Sequence, residues 1–79
     1  MKFRVYLTFN EATVRDPIIW QLGKNFDLVT NIRTAEVKDG MGLVGLELDG
    51  ESDVIDTAVA WLSEQGVHVE PIEQNVIEG

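Results

Sequence analysis

Cysteine is absent from this chain of 79 residues, so it holds no disulfide framework, thiolate metal site or iron–sulfur ligand set. Histidine occurs once, as His68, which leaves a metal only carboxylates as further ligands. Asp49, Glu51 and Asp53 lack the spacing of a calcium-binding loop, and Gly40 and Gly42 join two extended runs rather than opening a helix onto a phosphate. The start, Met-Lys-Phe-Arg-Val-Tyr, lacks the apolar run of about 7–15 residues of a secretory signal, and no stretch approaches the ~18 apolar residues of a membrane span. These absences lead to the expectation of a cytoplasmic protein without direct membrane insertion.

Positive charge is also scarce. Six basic residues stand against 14 acidic ones, a formal net charge of −8, and such a surface repels a polyanion, so nucleic-acid binding is disfavoured. The acid excess reads either as a solvated surface or as a docking face for a basic partner. With 44% hydrophobic residues the composition is that of a folded domain, and at this length its core is marginal enough to make a homodimer a standing expectation.

What is present is ordered around residues 25–50, two extended runs joined by Asp39-Gly40. An Asp-Gly pair between apolar and β-branched runs is a strong hairpin signal. In the first run Leu28 and Ile32 share one face while Val29, Ala35 and Val37 fall on the other, which no regular strand can bury together. The spacing predicts a bulge or twist within residues 31–34. In the second run Val44, Leu46 and Leu48 face inward. Gly42 and Gly45 permit close approach by a backbone or ligand, or mark a turn and a gap under a neighbouring side chain.

Ahead of this hairpin, residues 2–9 alternate strictly, with Phe3, Val5, Leu7 and Phe9 on one face, as in a strand buried on one side. Residues 10–15 are turn-like. Asp16-Pro17 predicts an N-cap and a first helical proline, and thus a helix over residues 17–25 with Ile18, Ile19, Leu22 and Phe26 inward. Trp20 points away from that stripe, either folding over the end of the sheet or serving a subunit contact or ligand wall. After the hairpin, Ser52-Asp53 predicts the cap of a second helix to about residue 65, with Val54, Ile55, Ala58, Val59 and Leu62 as its apolar stripe and Gly66 as its C-cap. Residues 67–70 read as a fourth strand, kept short or at an edge by Pro71.

The order strand, helix, strand, strand, helix, strand predicts an α+β fold, the ferredoxin-like βαββαβ sandwich with a four-stranded antiparallel sheet and two helices on one face. The domain is expected over residues 1–72, with residues 73–79 as a tail or an extra edge strand. The other sheet face stays open, with Arg4, Tyr6, Thr8, Leu43, Glu47, His68 and Glu70 on it, and such a mixed face suits a dimer. No catalytic constellation emerges. His68 has Glu70 beside it but no nucleophile or third orienting group, and Ser52 and Ser63 read as a helix cap and a surface residue.

The run Phe26-Asp27-Leu28-Val29-Thr30-Asn31-Ile32-Arg33, the turn Asp39-Gly40-Met41-Gly42, and Ala58-Val59-Ala60-Trp61-Leu62 leading to Val67-His68-Val69-Glu70 together resemble the NIL domain, named for an Asn-Ile-Leu run in its second strand. The resemblance spans nearly the whole chain. It implies a ferredoxin-like, non-enzymatic, ACT-like domain. In methionine ABC importers such a domain ends the ATPase subunit, binds methionine between paired domains and inhibits transport. Others stand alone or precede ferredoxin domains, and the ending from Glu70 to Gly79 is most similar to those. Carried onto this sequence, the resemblance points to the run Asn31, Ile32 and Arg33 for ligand binding; Tyr6 and Leu43 on the open face and Trp20 off the helix stripe are the expected interface residues, and no cofactor or metal is expected. Asn31 reads equally as a bulge residue bonding its own backbone. Arg33 departs from the namesake leucine and adds a cation where a carboxylate would be met. The rival expectation is a protein–protein adaptor for a sulfur-metabolism or redox partner, with no small ligand.

Overall fold

The computed structural model describes residues 1–72, so the tail or extra strand expected over 73–79 lies outside the described residues. The element order is β1 (Lys2–Phe9), α1 (Ile18–Asn25), β2 (Val29–Lys38), β3 (Met41–Asp49), α2 (Ser52–Glu64) and β4 (His68–Pro71). The strands form one antiparallel sheet in the order β2-β3-β1-β4, which is the ferredoxin-like arrangement expected from the sequence. Strands β1 and β3 occupy the middle, and β2 and β4 are the two edges.

The alternation in β1 and β3 decides where the core sits. Val5, Leu7 and Phe9 of β1 and Val44, Leu46 and Leu48 of β3 are buried beneath Ile18 and Leu22 of α1 and Ile55, Ala58 and Leu62 of α2. Phe26 and Trp61 close the periphery of this layer edge to face, with ring centroids 5.7 Å apart. The hairpin turns through Asp39 and Gly40, both at positive φ (54° and 77°), the conformation that matches the twist of the flanking strands. Gly66 ends α2 as expected. Its φ of 91° allows Gly66 N–H to donate to Ser63 O (3.0 Å) and Val67 N–H to Leu62 O (3.1 Å), a Schellman closure that turns the chain into β4.

Both helix starts differ from expectation. Pro17 sits at the N-cap of α1 rather than inside it, at φ −79° and ψ 59°, and no side chain caps the helix. Ile18 N–H donates to Asp16 O across Pro17 (2.8 Å), an inverse γ-turn, so Asp16 spends its backbone carbonyl here instead of its carboxylate. The side-chain bonds appear earlier. Asn10 Oδ1 accepts from the N–H groups of Ala12 and Thr13 (both 2.9 Å), and Thr13 Oγ1 accepts from Asn10 N–H (2.9 Å). In α2 the N-cap is Glu51, and Ser52 and Asp53 lie in the first turn. Asp53 accepts from Val54 N–H (3.0 Å) and sets a negative charge at the positive end of the helix.

Leu46 lies in the middle of β3 with no exposed surface. Leu46→Ala is expected to cost about 2–5 kcal/mol and to lower the thermal midpoint by roughly 10 °C or more. A circular-dichroism melt that moves by less than ~3 °C would show that the core does not depend on this strand.

Candidate functional site

Strand β2 decides the geometry of the site. It pairs with β3 from Val29↔Asp49 to Lys38↔Met41, and the register shifts between Ile32 and Thr34, so Arg33 is the extra residue of a β-bulge. The bulge resolves the conflict in the apolar pattern. Ile32 pairs with Leu46 before it and Ala35 with Val44 after it, so Ile32, Ala35 and Val37 all face the helix side, while Val29, opposite Asp49, lies on the uncovered side. Asn31 pairs with Glu47 and Thr34 with Gly45, which places them on the uncovered side of the sheet.

On that uncovered side Glu47 is buried to 8% exposure, and among the described residues it is the only buried side chain with a formal charge. Arg4 Nε from β1 donates to Glu47 Oε2 at 3.0 Å, and Arg33 Nη1 from β2 lies 3.8 Å from the same oxygen, within ion-pair range but beyond a hydrogen bond. The hydrogen bond from Arg4 holds the Glu47 carboxyl below the usual carboxylate range against the opposing effect of burial, and the charges of Lys2, Arg4 and Arg33 act in the same sense. Two positions along β3, a Cβ on Gly45 would come within 2.6 Å of Thr34 Cγ2 and 3.3 Å of Tyr6 Cε1, so this glycine is what lets the two side chains close over the strand beside Glu47.

The residues expected at the site are only partly brought together. Asn31 and Arg33 stand on the uncovered face with Glu47 and Arg4, whereas Ile32 points to the helix side and is 53% exposed at the sheet edge. Tyr6 and Leu43 are exposed on the uncovered face, while Trp20 belongs to the helix layer and carries Lys24 Nζ 5.4 Å from its ring centroid. Trp20 borders a cleft of about 210 Å³ lined by Phe9, Val14, Pro17, Ile19, Val37 and Val44. Val37 is six positions along β2 from Asn31, roughly 20 Å at the rise of a strand, so this cleft is separate from the polar cluster. His68 pairs with Thr8 at the far edge and takes no part. Among the described residues no three His, Asp or Glu side chains gather as a metal would require, and no helix is long and apolar enough to cross a membrane. Glu47 carries a signal readable from alternation, its place on the open face, but its burial depends on arginines from two other strands.

Comparison with known proteins agrees with this architecture. The model of the NIL domain matches residues 4–71. A methionine import ATP-binding protein, MetN, of Coxiella burnetii is 32% identical over 68 residues, covering 81% of this chain and 19% of that protein, so the chain spans about one fifth of the length of that curated relative. Among solved structures, the C-terminal domain of an ABC transporter ATP-binding protein from Enterococcus faecalis superposes with a TM-score of 0.73 at 21% identity, covering 91% of this chain and 84% of that one. A de novo designed protein, Ferredog-Diesel, superposes with a TM-score of 0.53 at 15% identity, covering 92% and 85%. These two likenesses concern the fold.

The depressed pKa of Glu47 has a pH signature. A carboxyl whose pKa is lower in the folded than in the unfolded chain adds stability above its unfolded value, and that contribution is lost as pH falls through the folded value. The stability difference between the wild type and Glu47→Gln, measured by urea unfolding, is therefore expected to be largest near neutral pH and to shrink below about pH 4. A difference that stays constant on acidification would mean that the arginines do not hold this carboxylate in its charged form.

Proposed function

We propose that this chain, which belongs to the NIL domain family, is a non-enzymatic regulatory domain that binds a small amino acid, methionine or a close relative, through Asn31 and Arg33. The observation that carries this reading is the bulge at Arg33, which sets Asn31 and Arg33 on the uncovered face beside a sequestered carboxylate. An amide and a guanidinium fork are suited to the polar end of an amino acid, and a fork binds a carboxylate through two parallel hydrogen bonds. The Coxiella relative is a methionine import ATP-binding protein, which makes methionine the first ligand to test. A cytoplasmic location belongs to the same reading.

A second copy of the chain is the proposed partner. Strand β2 is an edge of ten residues, and Val29, Ile32 and Val37 on it are 65%, 53% and 69% exposed. Apolar side chains along an unpaired edge favour strand-to-strand pairing. Ile32, facing away from Asn31, then serves pairing rather than ligand contact, and Tyr6 and Leu43 flank the ligand on the open face. The same exposed edge also favours the adaptor reading, in which another protein pairs with β2 and no small ligand exists.

Isothermal titration with the standard amino acids separates the two. Methionine or a relative is expected to bind, and Asn31→Ala and Arg33→Gln are each expected to weaken it about tenfold or more, the effect of removing one good polar contact. Absence of heat and of any thermal shift with every amino acid sinks the ligand reading in favour of the adaptor. For the pairing, light scattering is expected to give twice the monomer mass at high micromolar concentration, and Ile32→Glu with Val37→Lys to halve it; a monomeric wild type overturns the homodimer.

A further inference from the structure

We infer that Glu47 is the residue that makes the site select an amine: its free carboxylate oxygen accepts the ammonium group of an α-amino acid whose carboxylate lies on Arg33. The inference rests on the amino-acid reading above and adds to it the acceptor and the ligand class.

The two oxygens of Glu47 are not equivalent. Both arginines address Oε2, and Oε1 has no hydrogen-bond partner among the described residues. The side chain keeps 11% of its surface, and since helices cover only the other face, that surface looks out from the open side of the sheet. No buried side-chain oxygen is left without a partner among the described residues, so Oε1 is reached by solvent, and a ligand donor can take the place of water on it. An ammonium is the group that fits it, because the carboxylate is kept ionised by Arg4 whether or not a ligand is present.

Arg33 supplies the complementary half. Its guanidinium is half exposed, lies 3.8 Å from Glu47, and makes no hydrogen bond among the described residues, so its donors remain available. Around Glu47 two guanidinium charges face one carboxylate, and the charge of Arg33 is the one with no hydrogen-bonded carboxylate among the described residues. The carboxylate of a zwitterion neutralises that charge, and the ammonium, one carbon away, reaches the neighbouring strand where Glu47 stands. A carboxylic acid without the amine would leave Oε1 to solvent and bring its negative charge beside Glu47. An amine without the carboxylate would add a third cation around the single carboxylate of Glu47 and leave Arg33 without a ligand partner.

The test titrates the full chain and its Glu47→Gln variant with L-methionine, with 4-(methylthio)butanoate, which lacks the ammonium, and with methioninol, which lacks the carboxylate. The wild type is expected to bind both analogues at least about tenfold more weakly than methionine, and Glu47→Gln to lose about tenfold for methionine while the gap to the deamino analogue closes to within about threefold. A wild type that binds 4-(methylthio)butanoate within about threefold of methionine, or a Glu47→Gln variant that binds methionine unchanged, overturns this inference and leaves the amino-acid reading standing. Failure of the wild type to bind methionine or any other standard amino acid overturns that reading and this inference with it.

Discussion

One residue inserted into an edge strand carries the arrangement of this protein. Strand β3 alternates regularly, with Val44, Leu46 and Leu48 all buried, and β2 must pair with it while holding apolar residues in two different phases. Without the bulge at Arg33, Ala35 and Val37 would turn to the open face and the polar residues between them to the helices. With it, Ile32 and Val37 both lie toward the helix layer, and Asn31, Arg33 and Thr34 are gathered within four positions on the other side. The turn of Ile32, Ala35 and Val37 toward the helices and the gathering of the polar cluster on the other face thus have the same cause.

The bulge also shapes the charge distribution. The chain carries a net charge of −8, yet four of its six basic residues, Lys2, Arg4, Arg33 and Lys38, fall on the open face by the register of their strands. Glu36, Glu47, Asp49 and Glu70 balance them there, which leaves the acid excess on the helix side and the loops. Glu47 sits at the centre of this face and is covered by the stems of the arginines that neutralise it rather than by the core. Ion pairs sequestered in this way contribute little net stability, because desolvation offsets attraction. On this ground an apolar residue at this position of β3 is expected to cost the fold little.

Most of the fold was legible because it is written in short-range patterns. The alternation of residues 2–9, the Asp-Gly turn and the stripe from Ile55 to Leu62 each specify one element, and their order leaves few topologies. The conflict between Leu28 and Ile32 on one side and Ala35 and Val37 on the other located the bulge. The helix starts were misjudged for a local reason: Asp16 precedes a proline whose γ-turn consumes the backbone carbonyl and leaves the carboxylate out of the helix. Ser52 and Asp53 fall one position inside their helix, since Glu51 supplies the first carbonyl to Ile55 N–H. At the site, alternation placed Glu47 on the open face, but its burial requires Arg4 from 43 positions away and Arg33 across the hairpin. Ile32 follows Asn31 in the run that resembles the family's namesake, and neighbours in a strand lie on opposite faces.

The distribution of burial explains how so small a domain accommodates a polar cluster. Among the described residues the twelve buried hydrophobic ones come from β1, α1, β3, α2 and the approach to β4, and none comes from β2. The strand that bears Asn31 and Arg33 is therefore held by its ladder to β3 and by the turn, and its side chains are free to vary without opening the core. Such an edge is costly to leave unpaired, because its outer backbone groups and the apolar Val29, Ile32 and Val37 lie open to any extended chain. Ligand at Asn31 and a partner strand at the β2 edge would both act on the same ten residues, so each would bias the other by the same free energy.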